Sequence, residues 1–314
     1  LVRHHFPVLQ EVAMRILIMR NAESPAAIDA SLMLGAYLSS QDIEFTLADA
    51  ADPEGIIASS FDMAVALGGD GTILRTAKMI RYSRVPILGI NYGHLGFLAN
   101  GNQGGVVAAS AAALAGDTVA EERTNLRIFV QCEGDDDDQY ESMCAGDADA
   151  SIDDDFAISR CLFALNEAAL TRGALGWMID CELSISGSLV GTVRGDGMVI
   201  STATGSTAYA LSAGGPLVAP NFRGLVVVPV APHSLIARAV VTDPHDIVEL
   251  TLGDTRGDHE AQLFVDGLAV EFPAPIKRLR VQRGPEPTIL LRYQGESFYT
   301  LLRTTFFEHT EPVD

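Results

Sequence analysis

Lysine is almost missing from this chain of 314 residues: Lys78 and Lys277 are the only two. With 21 basic against 41 acidic residues, the formal net charge is −20. That excludes a general nucleic-acid binder, since neutralising phosphates needs a basic face. Arginine must therefore serve wherever phosphate is held. Long apolar runs are absent as well. Although 48% of the residues are hydrophobic, no run approaches the roughly 18–20 residues of a membrane span, and no membrane partner is expected. The opening Leu1-Val2-Arg3-His4-His5-Phe6-Pro7 lacks the apolar core of a signal peptide, so the expected location is the cytoplasm. The four cysteines, Cys132, Cys144, Cys161 and Cys181, are scattered without a C-x-x-C pair, and the histidines show no metal-binding spacing. Free thiols in a reducing compartment are expected, not a zinc site or a disulfide framework.

What is present is unevenly distributed. Between Glu133 and Asp155 stand eleven acidic side chains and no basic one. More than half of the net charge is thus a local insertion. Its run of like charges and low apolar content predict a disordered loop over 133–155. The length suits two domains. Up to residue 122, strand-like runs (Arg15–Met19, Ile43–Leu47, Met63–Leu67, Pro86–Ile90) alternate with helical stretches (Ala26–Ser39, Thr72–Tyr82, Gly105–Leu114). This alternation implies right-handed crossovers and a parallel, Rossmann-like α/β sheet over 14–122. Short strands dominate from Arg123 to residue 290, with Ser186-Gly187 as a hairpin turn, which predicts a β-rich domain. Only the segment after Ser206 reads as a helix there. The terminal stretch 291–314 contains the helically spaced Phe298–Phe307.

Two motifs carry chemistry. Gly68-Gly69-Asp70-Gly71-Thr72 directly follows the apolar run Met63–Leu67 and precedes the helix-like Ile73–Ile80. Strand, glycine loop and helix make a phosphate-binding turn, in which backbone N–H groups face an anion. Neither the G-x-G-x-x-G nor the G-x-x-x-x-G-K-[ST] pattern is matched. Asp70 is the informative departure, because a carboxylate repels phosphate unless it accepts a proton or holds a metal ion. A tight turn in which Asp70 caps the next helix is the plainer alternative.

The second motif runs from Arg194 to Pro216. Its strand Met198–Ser201 enters a turn dense in hydroxyls and glycine, followed by a short helix of small residues. Small residues let a ligand approach the backbone, and hydroxyls with free N–H groups suit phosphate and ribose. The bland alternative is a connection capped at Ser206 or Thr207. Asn166-Glu167 pairs an amide with a carboxylate, a combination that can read ribose hydroxyls or an adenine amino group; a generic strand-end turn is the plainer alternative. Asp196 is likewise an acceptor. Arg194, two residues earlier and expected on the same strand face, suits phosphate.

Together with Asn91-Tyr92-Gly93-His94-Leu95-Gly96-Phe97-Leu98, these segments resemble the NAD kinases over roughly residues 63–270. The resemblance implies transfer of a terminal phosphoryl group from ATP or polyphosphate to the 2′-hydroxyl of the adenosine ribose of NAD, giving NADP. It casts Asp70 as the catalytic base; orienting Mg2+-bound phosphate is the physical alternative. The backbone of Gly68, Gly69, Gly71 and Thr72 would cradle the donor, and Arg75 would touch bound substrate, a plain solvated helix position being its alternative. Asn166, Glu167, Arg194, Asp196, Thr204, Thr207, Ala208, Tyr209 and Ser212 would surround the dinucleotide. It also implies a C-terminal helix returning to the first domain and a homodimer or homotetramer, with the Pro232-His233 segment reaching a neighbour's site; His233 itself reads as a core or interface histidine. Ala203, Trp177, Leu268 and Ala239 depart from usual family residues, which bears on dinucleotide affinity. The rivals are a lipid or sugar kinase of the wider glycine–aspartate group and a non-catalytic dinucleotide sensor.

Overall fold

The computed structural model describes residues 14–51, 61–93, 96–102, 104–146, 160–174, 176–253, 261–294 and 297–308. His94, Leu95 and the acidic residues of 147–155 lie outside this set. The chain divides into two compact units, one running to Glu122 and resuming at Thr288, the other Arg123–Pro287.

The first unit is built on strands β1 (Arg15–Arg20), β2 (Glu44–Asp49), β3 (Met63–Gly68), β4 (Ile87–Asn91) and β5 (Val119–Arg123). They join β18 (Thr288–Arg292) in a sheet of order β2-β1-β3-β4-β18-β5. Pairings of β1 with β2 and β3, β3 with β4, and β4 with β18 are parallel. Every residue of β3 is buried, which is why it reads as an unbroken apolar run: helices cover both faces of a parallel sheet. Residues 288–290, grouped by sequence with the β-rich part, belong to this sheet instead. Helix α1 (Pro25–Ser40) starts with Pro25 behind the cap Ser24, whose side chain accepts from the Ala27 N–H. Its Ala27, Ala30, Leu34 and Leu38 share a core with Val106, Ala109 and Ala113 of α3 (Gly105–Leu114). The chain moves outward from β1 to β2, then restarts on the other side of β1 at β3. Ligands in open α/β sheets bind at such a switch point, and the glycine loop follows β3 there. Helix α2 (Asp70–Met79) leads away from it.

The second unit is β-rich. One antiparallel sheet has the order β10-β9-β14-β17-β6-β7 and the other β13-β12-β11-β8-β15-β16. In the first are β6 (Leu126–Cys132), β7 (Cys161–Ala164), β9 (Ile179–Ile185), β10 (Ser188–Gly195), β14 (Val248–Leu252) and β17 (Ile276–Arg283). The second contains β8 (Glu167–Arg172), β11 (Gly197–Ser201), β12 (Val226–Val230), β13 (Val240–Val241), β15 (Ala261–Val265) and β16 (Leu268–Val270). Alternate residues such as Ile179, Cys181 and Leu183 meet Leu170, Met198 and Ile200 in one core. The outward Val199, Val226 and Val228 form a second cluster with Ala210 of the four-residue α5 (Tyr209–Ser212). Ser186 and Gly187 both have positive φ and close the β9–β10 hairpin. All four cysteines are free.

The acidic insertion departs from expectation. Its first half is ordered: α4 (Asp137–Ala145) is capped by Asp136, which accepts from the Gln139 N–H. Tyr140 is buried to 1% exposure, with the Arg278 guanidinium 4.5 Å from its ring centre. Glu141 bridges Arg278 and Arg280 at 2.8 and 3.1 Å, and Asp137 meets Lys277 at 2.9 Å. Asp135 takes two hydrogen bonds from Arg160. The segment has no cations of its own; Arg160 supplies one from 25 residues away and strand β17 supplies three from more than 130 residues away.

At the other end, helix α6 (Phe298–Phe306) lies in the first unit, with the Phe298 and Phe306 rings 5.9 and 6.1 Å from that of Phe97. No helix among the described residues is long and apolar enough to cross a membrane.

Candidate functional site

In the first unit the loop between β3 and α2 shrinks to Gly69. As the residue before the helix it has no side chain to cap the first turn, and uncapped N–H groups at a helix start suit an anion. A Cβ on Gly68 would run into the Thr72 side chain, whereas one on Gly71 would meet nothing within 4 Å. The backbone is therefore packed on one side and open on the other. Arg75 is exposed one turn further along. Thr72 is buried, its carbonyl accepting from Thr76 Oγ1 at 2.8 Å.

Asp70 does not cap its own helix. Its carboxylate reaches across to the segment after β4: Oδ2 accepts from the Phe97 N–H at 2.9 Å, and Oδ1 from those of Leu98 and Ala99 at 3.1 and 3.2 Å. A carboxylate has about four acceptor sites, so one on Oδ2 is left by these three bonds. Gly96 has no room for a side chain, because a Cβ there would collide with this carboxylate.

In the second unit Asn166 and Glu167 enter β8. Their backbone is fixed by Asp266, which accepts from the N–H groups of Leu165, Asn166 and Glu167 at 2.8, 2.7 and 3.2 Å. Asp266-Gly267 is the two-residue turn between β15 and β16, both residues at positive φ. The side chains of the held pair are not satisfied internally: Asn166 Oδ1 and Glu167 Oε2 are buried without a hydrogen-bond partner. Burial, and then the negative Asp266, push the Glu167 carboxyl up to about 8, with a hydrogen bond from the Tyr209 N–H pulling partly back. Its burial thus favours the protonated form, which can donate as well as accept. A cavity of about 440 Å³ is lined by Glu167, Thr171, Arg172, Asp196, Tyr209 and Phe264. It gathers three expected site residues, Glu167, Asp196 and Tyr209.

Other expectations change. Asp196 pairs with Arg172 at 3.1 Å, while Arg194 is exposed and lies 3.9 Å from Asp180. Arg194 and Asp196 do not share a strand face, because β10 ends at Gly195 and β11 starts at Gly197 in the other sheet. The crossing is tight: a Cβ on Gly197 would run into the Leu170 carbonyl. Much of the hydroxyl run is turned inward. Thr202 Oγ1 donates to the Leu165 carbonyl at 2.7 Å, Ser206 Oγ to that of Ala203 at 2.7 Å, and Thr207 Oγ1 to that of Thr204 at 3.3 Å. These hydroxyls shape the turn. Neither Ser206 nor Thr207 is a cap, since a 3₁₀ turn at Gly205–Thr207 precedes α5 and neither start has a side-chain cap. Thr204 is buried, with Arg123 Nη1 3.5 Å from its hydroxyl. Ala208 is half-buried, and Tyr209 and Ser212 are exposed. His233 is exposed, so it is not a core residue. Sequence reasoning missed Asp266 and Arg172. The Asp-Gly pair between apolar strands was the available signal for Asp266; Arg172 had none.

Comparison with known proteins identifies two matching segments. Residues 18–117 match the ATP-NAD kinase N-terminal domain and residues 165–293 the ATP-NAD kinase C-terminal domain. The chain is 38% identical over 247 residues to the NAD kinase of Aromatoleum aromaticum, covering 79% of this chain and 74% of that one. It is 36% identical over 256 residues to the NAD kinase of Symbiobacterium thermophilum, covering 81% and 82%. In fold it is similar to the yeast NADH kinase complexed with NADH (TM-score 0.79, 19% identity, 97% and 91% covered). A second likeness is the NAD kinase from Archaeoglobus fulgidus in complex with ATP (TM-score 0.64, 24% identity, 88% and 93% covered). The chain belongs to the NAD kinase family, transferases that phosphorylate NAD.

Proposed function

We propose that the chain transfers the terminal phosphoryl group of ATP, or of polyphosphate, to the 2′-hydroxyl of the adenosine ribose of NAD. The observation that carries this reading is Glu167 Oε2, a buried and unpartnered oxygen on a residue lining the 440 Å³ cavity. A buried polar atom without a partner is costly, and a ribose hydroxyl or an adenine edge would complete it. Asn166, Asp196, Thr204, Thr207, Ala208, Tyr209 and Ser212 surround the dinucleotide in this reading. Arg194, exposed and loosely paired, is available to its phosphates.

The donor's phosphates lie against the backbone of Gly68, Gly69, Gly71 and Thr72, with Arg75 as the nearby cation. Asp70 uses its remaining Oδ2 acceptor site either to receive the proton of the attacking hydroxyl or to orient the donor. A divalent ion enters as Mg2+ carried by ATP, part of the substrate; among the described residues no three His, Cys, Asp or Glu side chains are grouped to hold a resident metal. Homodimer or homotetramer assembly belongs to the same reading, supported by Leu235 and Ile236, 92% and 84% exposed beside His233.

A coupled assay for NADP formed from NAD, ATP and magnesium tests the proposal. Polyphosphate in place of ATP identifies the donor. Product from a lipid or a sugar with none from NAD would overturn it, and dinucleotide binding without turnover would point to a sensor.

A further inference from the structure

Two peptide groups stand between Asp70 and an arginine that no sequence motif marks. Arg292, at the end of β18, donates from Nη1 to the Leu98 carbonyl at 2.6 Å and from Nη2 to the Phe97 carbonyl at 3.0 Å. The peptide that carries the Phe97 carbonyl also carries the Leu98 N–H, and the one that carries the Leu98 carbonyl also carries the Ala99 N–H. Both of those N–H groups donate to Asp70 Oδ1. Guanidinium and carboxylate are thus linked twice through planar amides. Because a peptide unit is rigid, gripping its oxygen fixes the direction of its N–H. Hydrogen bonds in series also polarise one another. Arg292 is itself oriented by Glu121 of β5, Nε to Oε2 at 2.9 Å, and its side chain is only 15% exposed.

We infer that Arg292, oriented by Glu121, is a positioning residue for Asp70: by clamping peptides 97–98 and 98–99 it holds Oδ1 and aims the remaining acceptor site of Oδ2, which also accepts from the Phe97 N–H, at the reaction. This rests on the proposed role of Asp70. The planar fork of arginine is needed, because one ammonium cannot hold two successive carbonyls in the same geometry. Displacing a catalytic group by about 1 Å can cost on the order of 10²-fold, so the clamp acts on turnover more than on binding.

The experiment is a double-mutant cycle on the full chain, with Arg292→Gln and Asp70→Asn made singly and together. Turnover, Michaelis constants for NAD and ATP, and melting temperature are read for each. R292Q alone is expected to lower kcat about tenfold or more, with both Michaelis constants within about threefold of wild type. Arg292→Lys should fall between the two. In the D70N background, R292Q should cost less than about twofold, since the group it positions is already disabled. An equal loss from R292Q in both backgrounds would leave Arg292 as a plain structural staple and overturn the inference while D70N remained impaired. Wild-type turnover in D70N would instead overturn the role of Asp70 and the inference with it. If R292Q does not fold, Glu121→Gln replaces it in the same cycle, with the same two outcomes.

Discussion

Two aspartates, one in each unit, perform the same backbone task with opposite consequences. Asp70 accepts three consecutive N–H groups from Phe97–Ala99, and Asp266 accepts three from Leu165–Glu167. In the proposed reaction the first unit's chemistry falls to the aspartate that is held, with the amides as its support. In the second the aspartate is the support, and the proposed dinucleotide contacts fall to the segment it holds, Asn166-Glu167. The same device also produces different electrostatics. Asp266 brings its charge up to a buried carboxyl and helps keep Glu167 protonated. Asp70 meets only donors in its clamp.

The largest effect should come from breaking the first clamp at its functional end. Asp70→Asn keeps the size and loses the carboxylate, so turnover should fall roughly 10²-fold or more, the scale of a lost general base. NAD binding, measured by titration, should be kept. Turnover within a few-fold of wild type would remove Asp70 from the chemistry. Asp266→Asn is the mirror experiment. It weakens charge-assisted bonds to the 165–167 backbone, each worth about 1.5–3 kcal/mol, so the Michaelis constant for NAD should rise tenfold or more while turnover at saturation changes little. If D266N lowered turnover and spared binding, the two clamps would not divide the work as described.

The contrast also marks what the sequence reveals. Glycine-loop chemistry is local: strand, loop, Asp70 and helix are contiguous, so their order alone locates them. So are Asn166-Glu167 and the Ser186-Gly187 hairpin. Partners remote in sequence leave no such trace. Asp266 meets Asn166 from 100 residues away, and Arg292 meets Leu98 from 194 away. The acidic insertion fails for the same reason: its eleven acids look uncompensated along the chain, yet Lys277, Arg278 and Arg280 neutralise part of them in space. One aromatic residue, Tyr140, gives α4 an apolar anchor that composition averages away. Arg194 and Asp196 show the converse error, since a period of two holds only within one strand and the chain changes sheets at Gly195–Gly197.

A smaller effect is expected on the cavity wall shared with the second clamp. Asp196→Ala removes the partner of Arg172, both about one-third or more exposed, and an acceptor lining the cavity. The Michaelis constant for NAD should rise about tenfold, one charge-assisted bond at the low end of its range. That for ATP should stay unchanged. If only the ATP constant moved, Asp196 would belong to the donor side.

The finest test addresses the protonation that Asp266 imposes on Glu167. Burial, and then the Asp266 charge, push the folded-state carboxyl from the ordinary 4.5 up to about 8. Between those values the folded chain holds a proton that the unfolded chain has released, so stability falls as pH rises. The contribution is complete below the unfolded value and is lost by the time pH passes the folded one. Glu167→Gln mimics the protonated acid and cannot titrate; every other group is common to both proteins. Melting temperatures of wild type and E167Q should therefore lie close together at pH 5 and separate toward pH 9. The variant should then be more stable by at least about 2–4 °C, the shift from roughly 1 kcal/mol in a chain of this order of size. Parallel profiles across that range would mean that Glu167 is already ionised at neutral pH, and that the second clamp presents the dinucleotide with a charge instead of a donor.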